Sequence, residues 1–153
     1  MGAYIIERKE QLLPFPIQDS PYNTPGDRLR FARYENYMTI VELARRTGLT
    51  VETISYLEGN RYKAKLPTLR VLAQALNVTV AYLGCFESLP EKTYAQKVKK
   101  ARLYHGLNMK EFAEALGVDA RTIRNWERNT FKPLPKHRKS LTIYLSILNE
   151  QSS

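Results

Sequence analysis

The side chains best suited to chemistry are Arg121, Arg124 and Asn125, which stand close together in one short segment of the 153-residue chain. An arginine can donate two hydrogen bonds to guanine O6 and N7, and an asparagine can bond adenine N6 and N7 in the same two-point way. At about 100° per residue of an α-helix, these side chains and Ala120 share one side. The segment therefore has the composition of a surface that contacts base edges, with a solvated charged face as the alternative for the two arginines.

The equivalent positions of an earlier segment carry different chemistry. Taking Val51 as zero, a rotation of about 100° per residue puts Ser55 at about 40°, Glu52 at about 100° and Tyr56 at about 140°. Val51 could touch a thymine methyl, Glu52 could accept a hydrogen bond from cytosine N4, and Tyr56 could contact a base edge or a phosphate. An acid in the first turn of a helix is also favoured by the helix dipole, so Glu52 has a structural alternative.

Both faces belong to a unit that the chain carries twice. Residues 27–60 align without a gap with residues 96–129, at an offset of 69 positions, and nine of the 34 pairs are identical. The identical residues are a turn glycine, small packing residues and charges. A period of 69 residues that occurs only twice predicts tandem globular domains, because the repeats of solenoids are usually about 20 to 50 residues long and more numerous.

Local start and stop signals predict the helices that position these faces. Thr39 and Glu42 form a capping box at a helix start, and Gly48 predicts the end of that helix, since glycine readily takes the left-handed conformation of a tight turn. Thr50 then caps the helix that carries Val51. The second repeat has matching signals at Asn108, Glu111 and Gly117.

The ends of the two repeats differ. In the first repeat, Pro67 opens a fourth helix and Thr79 caps a short fifth one. The second repeat is predicted to end in one long helix from about Pro135 to Asn149. Its apolar stripe is Leu141, Tyr144, Leu145 and Leu148.

A helix, a turn holding Gly48 and a further helix form the arrangement of a helix-turn-helix DNA reader, whose second helix lies in the major groove. Both repeats resemble the family of phage lambda repressor and Cro, also called the xenobiotic-response-element family. The match is carried by Leu43-Ala44-x3-Gly48-Leu49-Thr50-x2-Thr53-Ile54-x2-Leu57-Glu58 and by Phe112-Ala113-x3-Gly117-Val118-x3-Thr122-Ile123-x2-Trp126-Glu127. The first repeat alone continues into the family's fourth helix, at Pro67-Thr68-Leu69-x2-Leu72-Ala73-Gln74-Ala75-Leu76-Asn77-Val78.

The resemblance implies an all-α fold with two tandem lambda-repressor-like helix-turn-helix domains. The expected organisation is an extended Pro-rich leader over 1–26, a first domain over 27–84, a linker over 85–93 and a second domain over 94–150. Closely spaced prolines prevent a helix within the leader. Its apolar residues are expected to pack on a repeat or on a partner, so residues 1–26 are a candidate surface for a homodimer or a protein partner. The alternative is a DNA-contacting arm, for which only Arg8 and Lys9 are available.

The resemblance also assigns a role to two arginine and glutamate pairs that recur at the same offset. In the family, an arginine of the first helix pairs with the glutamate that ends the recognition helix. If such a pair is partly buried, removing one partner costs ~3 to 5 kcal/mol. We therefore expect these residues to determine the fold and not to contact bases. They are Arg33 with Glu58, and Arg102 with Glu127.

Polar residues at and after the recognition helices are expected to contact phosphates, because that loop runs beside the DNA backbone. These are Thr50, Asn60, Arg61, Lys63 and Lys65 in the first repeat and Arg128, Asn129, Thr130 and Lys132 in the second. Family members often place a glutamine directly after the N-cap of the second helix. Here Ile40 and Met109 stand there, which removes one expected DNA contact per repeat.

Charge and composition agree with a polyanionic partner. The net charge of +9 is made up of −1 over residues 1–26, +4 over 27–84 and +6 over 85–153. Cys85 is the only cysteine, which excludes an intramolecular disulfide and a multi-cysteine metal site. The two histidines lack ligand-type neighbours, so no metal or cofactor is expected. Without an apolar run of ~18 residues, a membrane span is not expected either.

The residues and the resemblance together imply a sequence-specific regulator of transcription that binds double-stranded DNA through two non-identical recognition helices. A repressor of a phage or another mobile element is favoured, in the cytoplasm of a bacterial or phage-infected cell. No nucleophile motif or phosphate-binding glycine loop indicates an enzyme. The alternative is an antitoxin-like or regulatory protein-interaction module in which only one repeat reads DNA.

Overall fold

The computed structural model describes residues 23–150, and within this range the chain is all-helical, which confirms the predicted fold class. It divides into two compact units between Cys85 and Phe86. The first unit contains α1 (Pro25–Glu35), α2 (Ile40–Thr47), α3 (Val51–Glu58), α4 (Leu66–Leu76) and α5 (Val80–Gly84). The second contains a 3-10 turn (Phe86–Ser88), α6 (Tyr94–Tyr104), α7 (Met109–Leu116), α8 (Ala120–Glu127) and α9 (Pro135–Glu150). The leader predicted over 1–26, with its partner-binding role, lies outside the described residues except for its last four.

The boundary between the units falls inside the segment predicted as a linker, 85–93. The buried Lys100 of α6 donates a hydrogen bond to the carbonyl oxygen of Glu87 at 3.1 Å and forms an ion pair with Glu91 at 3.1 Å. These contacts attach most of the segment to the second unit.

Helix α1 begins two residues before the predicted start of the first domain. Thr24 Oγ1 accepts a hydrogen bond from the amide of Asp27 at 3.1 Å, and Pro25 lies in the first turn. A proline is tolerated there because the first amides of a helix have no partner within it. The last proline of the leader therefore starts a helix.

The predicted caps of α2 and α7 are confirmed. The amide of Glu42 donates to Thr39 Oγ1 at 3.1 Å while Glu42 Oε2 accepts from the amide of Thr39 at 2.7 Å, so the capping box is reciprocal. Gly48 ends α2 in the left-handed region at φ 75°. The same features recur at Asn108, Glu111 and Gly117.

In each unit, two helices pack against the buried side of a third, which is α3 in the first unit and α8 in the second. In the first unit, α1 packs on α3 and α5, and α2 packs on α3 and α4. In the second, the predicted long helix is confirmed as α9, which packs along α6 and also contacts α7. Leu141 of α9 is fully buried, and the ring of Tyr144 meets Phe112 edge-on at 5.1 Å. One long helix thus covers the second core where α4 and α5 cover the first.

The start of α1 comes very close to the end of α3. The amide of Gly26 donates to Asn60 Oδ1 at 2.9 Å. A Cβ atom at Gly26 would lie 2.5 Å from the carbonyl oxygen of Glu58 and 2.6 Å from that of Leu57. Glycine is thus required for contact between these two backbones. Ala95 stands at the equivalent position of the second repeat, 69 residues later, so this requirement is particular to the first unit.

Replacing Gly26 with alanine should destabilise the first unit by about 1 to 3 kcal/mol, because two backbone carbonyls cannot move aside as a flexible side chain would. Urea unfolding followed by circular dichroism would measure the loss. Gly59→Ala is the matched control, since a Cβ there would have its nearest neighbour at 3.4 Å. Equal effects of the two substitutions would contradict the close-approach explanation.

Candidate nucleic-acid interface

Helix α3 exposes the four side chains that the sequence assigns to base reading. Val51 is 42% exposed and Tyr56 40%, and Glu52 and Ser55 are also exposed. Ile54, on the opposite side, is completely buried. The buried side anchors the helix in the core, so the exposed side is available to a groove of DNA.

Helix α8 presents a more basic surface on the same plan. Arg121 and Arg124 are exposed, whereas Asn125 and Ala120 are half-buried. Ala120 packs against the core cluster that contains Ile123, so it contributes less to the outer surface than its helical position suggests. The structure therefore brings the two arginines together at the surface, with Asn125 at their edge.

The N-caps of α3 and α8 differ in charge. Thr50 Oγ1 accepts a hydrogen bond from the amide of Thr53 at 3.1 Å. In α8 the same place is taken by Asp119, whose Oδ1 accepts from the amide of Thr122 at 2.7 Å. That hydrogen bond lowers the pKa of Asp119, because it favours the ionised carboxylate. A carboxylate also repels phosphate, so Asp119 is unsuited to the phosphate contact that is predicted for Thr50.

The charged cap should make the stability of the second unit depend on pH in acid. The pKa of Asp119 is lower in the folded state than its ordinary value of 3.8. Its contribution to the free energy of unfolding is therefore complete above pH 3.8. It is lost as the pH falls through the folded pKa. Replacing Asp119 with threonine keeps a cap but removes the titrating group. Between about pH 5 and pH 2, the free energy of unfolding should fall less steeply in Asp119→Thr than in the original chain. Identical slopes in urea unfolding would exclude this role.

The loops after α3 and α8 have the same backbone geometry. Asn60 and Asn129 take left-handed conformations, at φ 55° and 58°. The next amide in each loop bonds back to the recognition helix, from Arg61 to Tyr56 at 3.0 Å and from Thr130 to Asn125 at 2.9 Å. All nine residues predicted to contact phosphate are exposed. They are Thr50, Asn60, Arg61, Lys63, Lys65, Arg128, Asn129, Thr130 and Lys132.

Two of these residues have contacts that the sequence did not indicate. Asn60 Nδ2 donates to Thr24 Oγ1 at 2.9 Å, in addition to the bond that Asn60 Oδ1 accepts from Gly26. Its side chain therefore holds α1 against α3. The guanidinium of Arg61 lies over the ring of Tyr56, 4.7 Å from its centroid, and joins the loop to the exposed side of α3.

Both arginine and glutamate pairs are brought together inside their units. Arg33 Nε donates to Glu58 Oε1 at 2.6 Å, and Arg102 Nε donates to Glu127 Oε1 at 2.5 Å. A second bond of 3.1 Å makes each pair two-pronged. Each arginine also donates from Nη1 to a backbone carbonyl oxygen, that of Met38 or Leu107, at 2.9 Å. These side chains are buried and have no access to a DNA base in this conformation.

Sequence reasoning did not name Asp119 or Lys100. The signal for Asp119 was present, because an aspartate directly before a helical apolar pattern is a common N-cap. Lys100 gave no signal, since its burial depends on the segment that precedes α6. Over residues 23–150, no group of three or more His, Cys, Asp and Glu side chains is placed to hold a metal ion. None of the helices in this range is long and apolar enough to cross a membrane.

A family model for helix-turn-helix proteins matches residues 29–83 and 98–137, which are more than half of the chain. The matched segments contain α2 with α3 and α7 with α8. The chain therefore belongs to the helix-turn-helix family of phage lambda repressor and Cro. This confirms the resemblance seen in the residues.

One similar protein is the immunity repressor protein of Bacillus phage phi105. The two are 29% identical over 93 residues, which are 61% of this chain and 65% of the phage protein. The chain thus matches less than two thirds of that relative's length. No solved structure matches the chain.

Proposed function

We propose that the chain is a transcriptional repressor, of phage or other mobile-element origin, that reads double-stranded DNA with α3 and α8 in the major groove. The observation that carries the proposal is the outer surface of α8. Arg121 and Arg124 are exposed there, while Ile123 on the other side is fixed in the core. Rigid placement of donors that can bond a guanine in two places is what direct base reading needs.

The two helices are proposed to read different half-sites. Arginine and asparagine on α8 match purines, whereas Val51 matches a thymine methyl and Glu52 matches the amino group of cytosine. The operator should therefore consist of two unlike halves. The similarity to a phage immunity repressor supports the direction of regulation.

The test is selection of binding sites from a pool of random duplexes by the intact chain. One enriched sequence with two dissimilar halves supports the proposal, and recovery of unrelated sequences with equal affinity would overturn it. A second selection uses a chain with Val51, Glu52 and Tyr56 changed to alanine. We expect the preference to relax in one half-site only.

A second candidate function is a protein-interaction module in which only α8 reads DNA, as in an antitoxin or a regulator of another regulator. The observation that favours it is the reading face of α3, which lacks arginine and asparagine and whose Tyr56 is partly covered by Arg61. An unchanged selected site after the triple substitution in α3 would support this candidate. Residues 1–26 are then the candidate surface for a dimer or a protein partner.

A further inference from the structure

An exposed aromatic ring follows each recognition helix at the same position of the repeat. Tyr62 is 48% exposed and Phe131 is 63% exposed, and they are 69 residues apart. Each stands two residues after the left-handed asparagine and directly before a lysine, Lys63 or Lys132. Single exposed apolar residues are ordinary on protein surfaces. Here, however, an exposed aromatic ring occurs at the same position of both repeats, although most of the repeat has diverged.

The loop geometry places both residues beside the candidate reading surfaces. In the first unit, the ring of Tyr62 meets that of Tyr56 edge-on, with 6.3 Å between centroids. In the second, the amide of Phe131 lies 3.5 Å from the carbonyl oxygen of Asn125, which also accepts from Thr130. Each aromatic residue therefore continues the outer surface of its recognition helix.

The chain segments that follow the two recognition helices and carry the rings are cationic. The loop of the first unit contributes Arg61, Lys63 and Lys65, and no acidic residue occurs between positions 59 and 86. In the second unit, no acidic residue occurs between positions 128 and 149. An apolar ring between cations fits a partner whose negative charges alternate with apolar surface. The DNA backbone has this character, because each phosphate is followed by a deoxyribose with exposed C–H groups.

We propose that Tyr62 and Phe131 pack against deoxyribose rings that flank each major-groove contact, while the adjacent lysines bind the neighbouring phosphates. These contacts carry no sequence information and instead fix the position of each recognition helix on the duplex. The inference rests on the proposed binding of double-stranded DNA.

Phe131 is the better position for a test. Tyr62 also lines a cavity of about 20 Å³ in the first core, so its removal would change packing as well. The full-length chain with Phe131→Ala is compared with Phe131→Tyr, which retains a ring, and with Lys132→Ala. The probes are the selected duplex and an unrelated duplex of equal length. Fluorescence anisotropy gives Kd at several salt concentrations, and thermal unfolding shows whether each variant is folded.

We expect Phe131→Ala to weaken binding to both duplexes by about three- to tenfold, the size of one lost aromatic contact. For Phe131→Ala, the slope of log Kd against log salt concentration should be unchanged, because no charge is removed. Phe131→Tyr should bind both duplexes with the affinity of the original chain. Lys132→Ala should lower that slope by ~0.9, as expected for one phosphate contact.

Normal binding by Phe131→Ala together with a lowered slope in Lys132→Ala would overturn the ring contact but leave DNA binding intact. Failure of the original chain to bind either duplex would overturn both proposals. A Phe131→Ala variant that changes the sedimentation of the free chain, and not its Kd for DNA, would assign the ring to contact between copies and would also overturn the inference.

Discussion

Replacing Glu127 with glutamine is expected to lower the free energy of unfolding of the second unit by about 3 to 5 kcal/mol. The substitution keeps the volume of the side chain but leaves the guanidinium of Arg102 buried without its counter-charge. Arginine does not lose its proton in proteins, so the unpaired charge cannot be relieved by neutralisation. Thermal and urea unfolding would measure the effect. Glu127 gives a simpler test than Glu58, because Glu58 Oε2 also forms an ion pair with Arg30 Nε at 3.5 Å.

Two controls separate charge burial from other effects. Glu114→Gln removes a carboxylate from an exposed position of α7 and should change stability little. The double substitution Arg102→Met with Glu127→Leu should recover most of the loss, because an apolar pair of similar volume leaves no buried charge. If the double variant is less stable than Glu127→Gln, the buried pair itself stabilises the unit and the desolvation explanation is wrong. Unchanged sequence preference of the folded variant would agree with a role in the fold and not in base reading.

Removing the proposed base-reading side chains of α8 is expected to have the largest effect on DNA binding. Each two-point contact contributes about 1 to 3 kcal/mol of discrimination, so Arg121→Ala or Asn125→Ala should weaken binding to the selected site by about five- to 150-fold. Discrimination at the contacted base pair should disappear in each case. Anisotropy titrations at one salt concentration, with the selected duplex and duplexes changed at single base pairs, would measure both quantities.

Arg121→Lys is the matched control for this prediction. Lysine preserves the charge but lacks the rigid planar fork with two donor nitrogens, so the variant should keep its affinity for unrelated duplexes and lose part of its preference for the selected one. An equal loss of affinity for every duplex in Arg121→Ala would instead identify Arg121 as a phosphate contact.

Helix boundaries in this protein follow from interactions within a few residues. The capping box of Thr39 and Glu42 and the left-handed Gly48 depend only on their own turn of chain. The same is true of the long helix α9, whose apolar stripe and opening proline predict its course. These features could be predicted because every partner in them is close in sequence.

The reading surfaces could be predicted only in part. Helical periodicity places Arg121 and Arg124 outward, and both are exposed. Periodicity cannot show which residues beside the exposed face are buried against the core. Ala120 packs against the core cluster, and Asn125 is half-buried at the edge. That outcome depends on the volume of the surrounding side chains, which a single helix does not specify.

The family, the number of repeats and the polar side of each helix follow from the order of residues alone. The roles of residues such as Asn60 depend instead on how the helices pack. Its place in the loop predicts a phosphate contact, yet its side chain bonds Thr24 and Gly26, more than 30 residues away in the chain. Such contacts exist because α1 and α3 approach until two backbones touch at a glycine. The distance between helices is set by the packing of the whole core and is not encoded in any one turn.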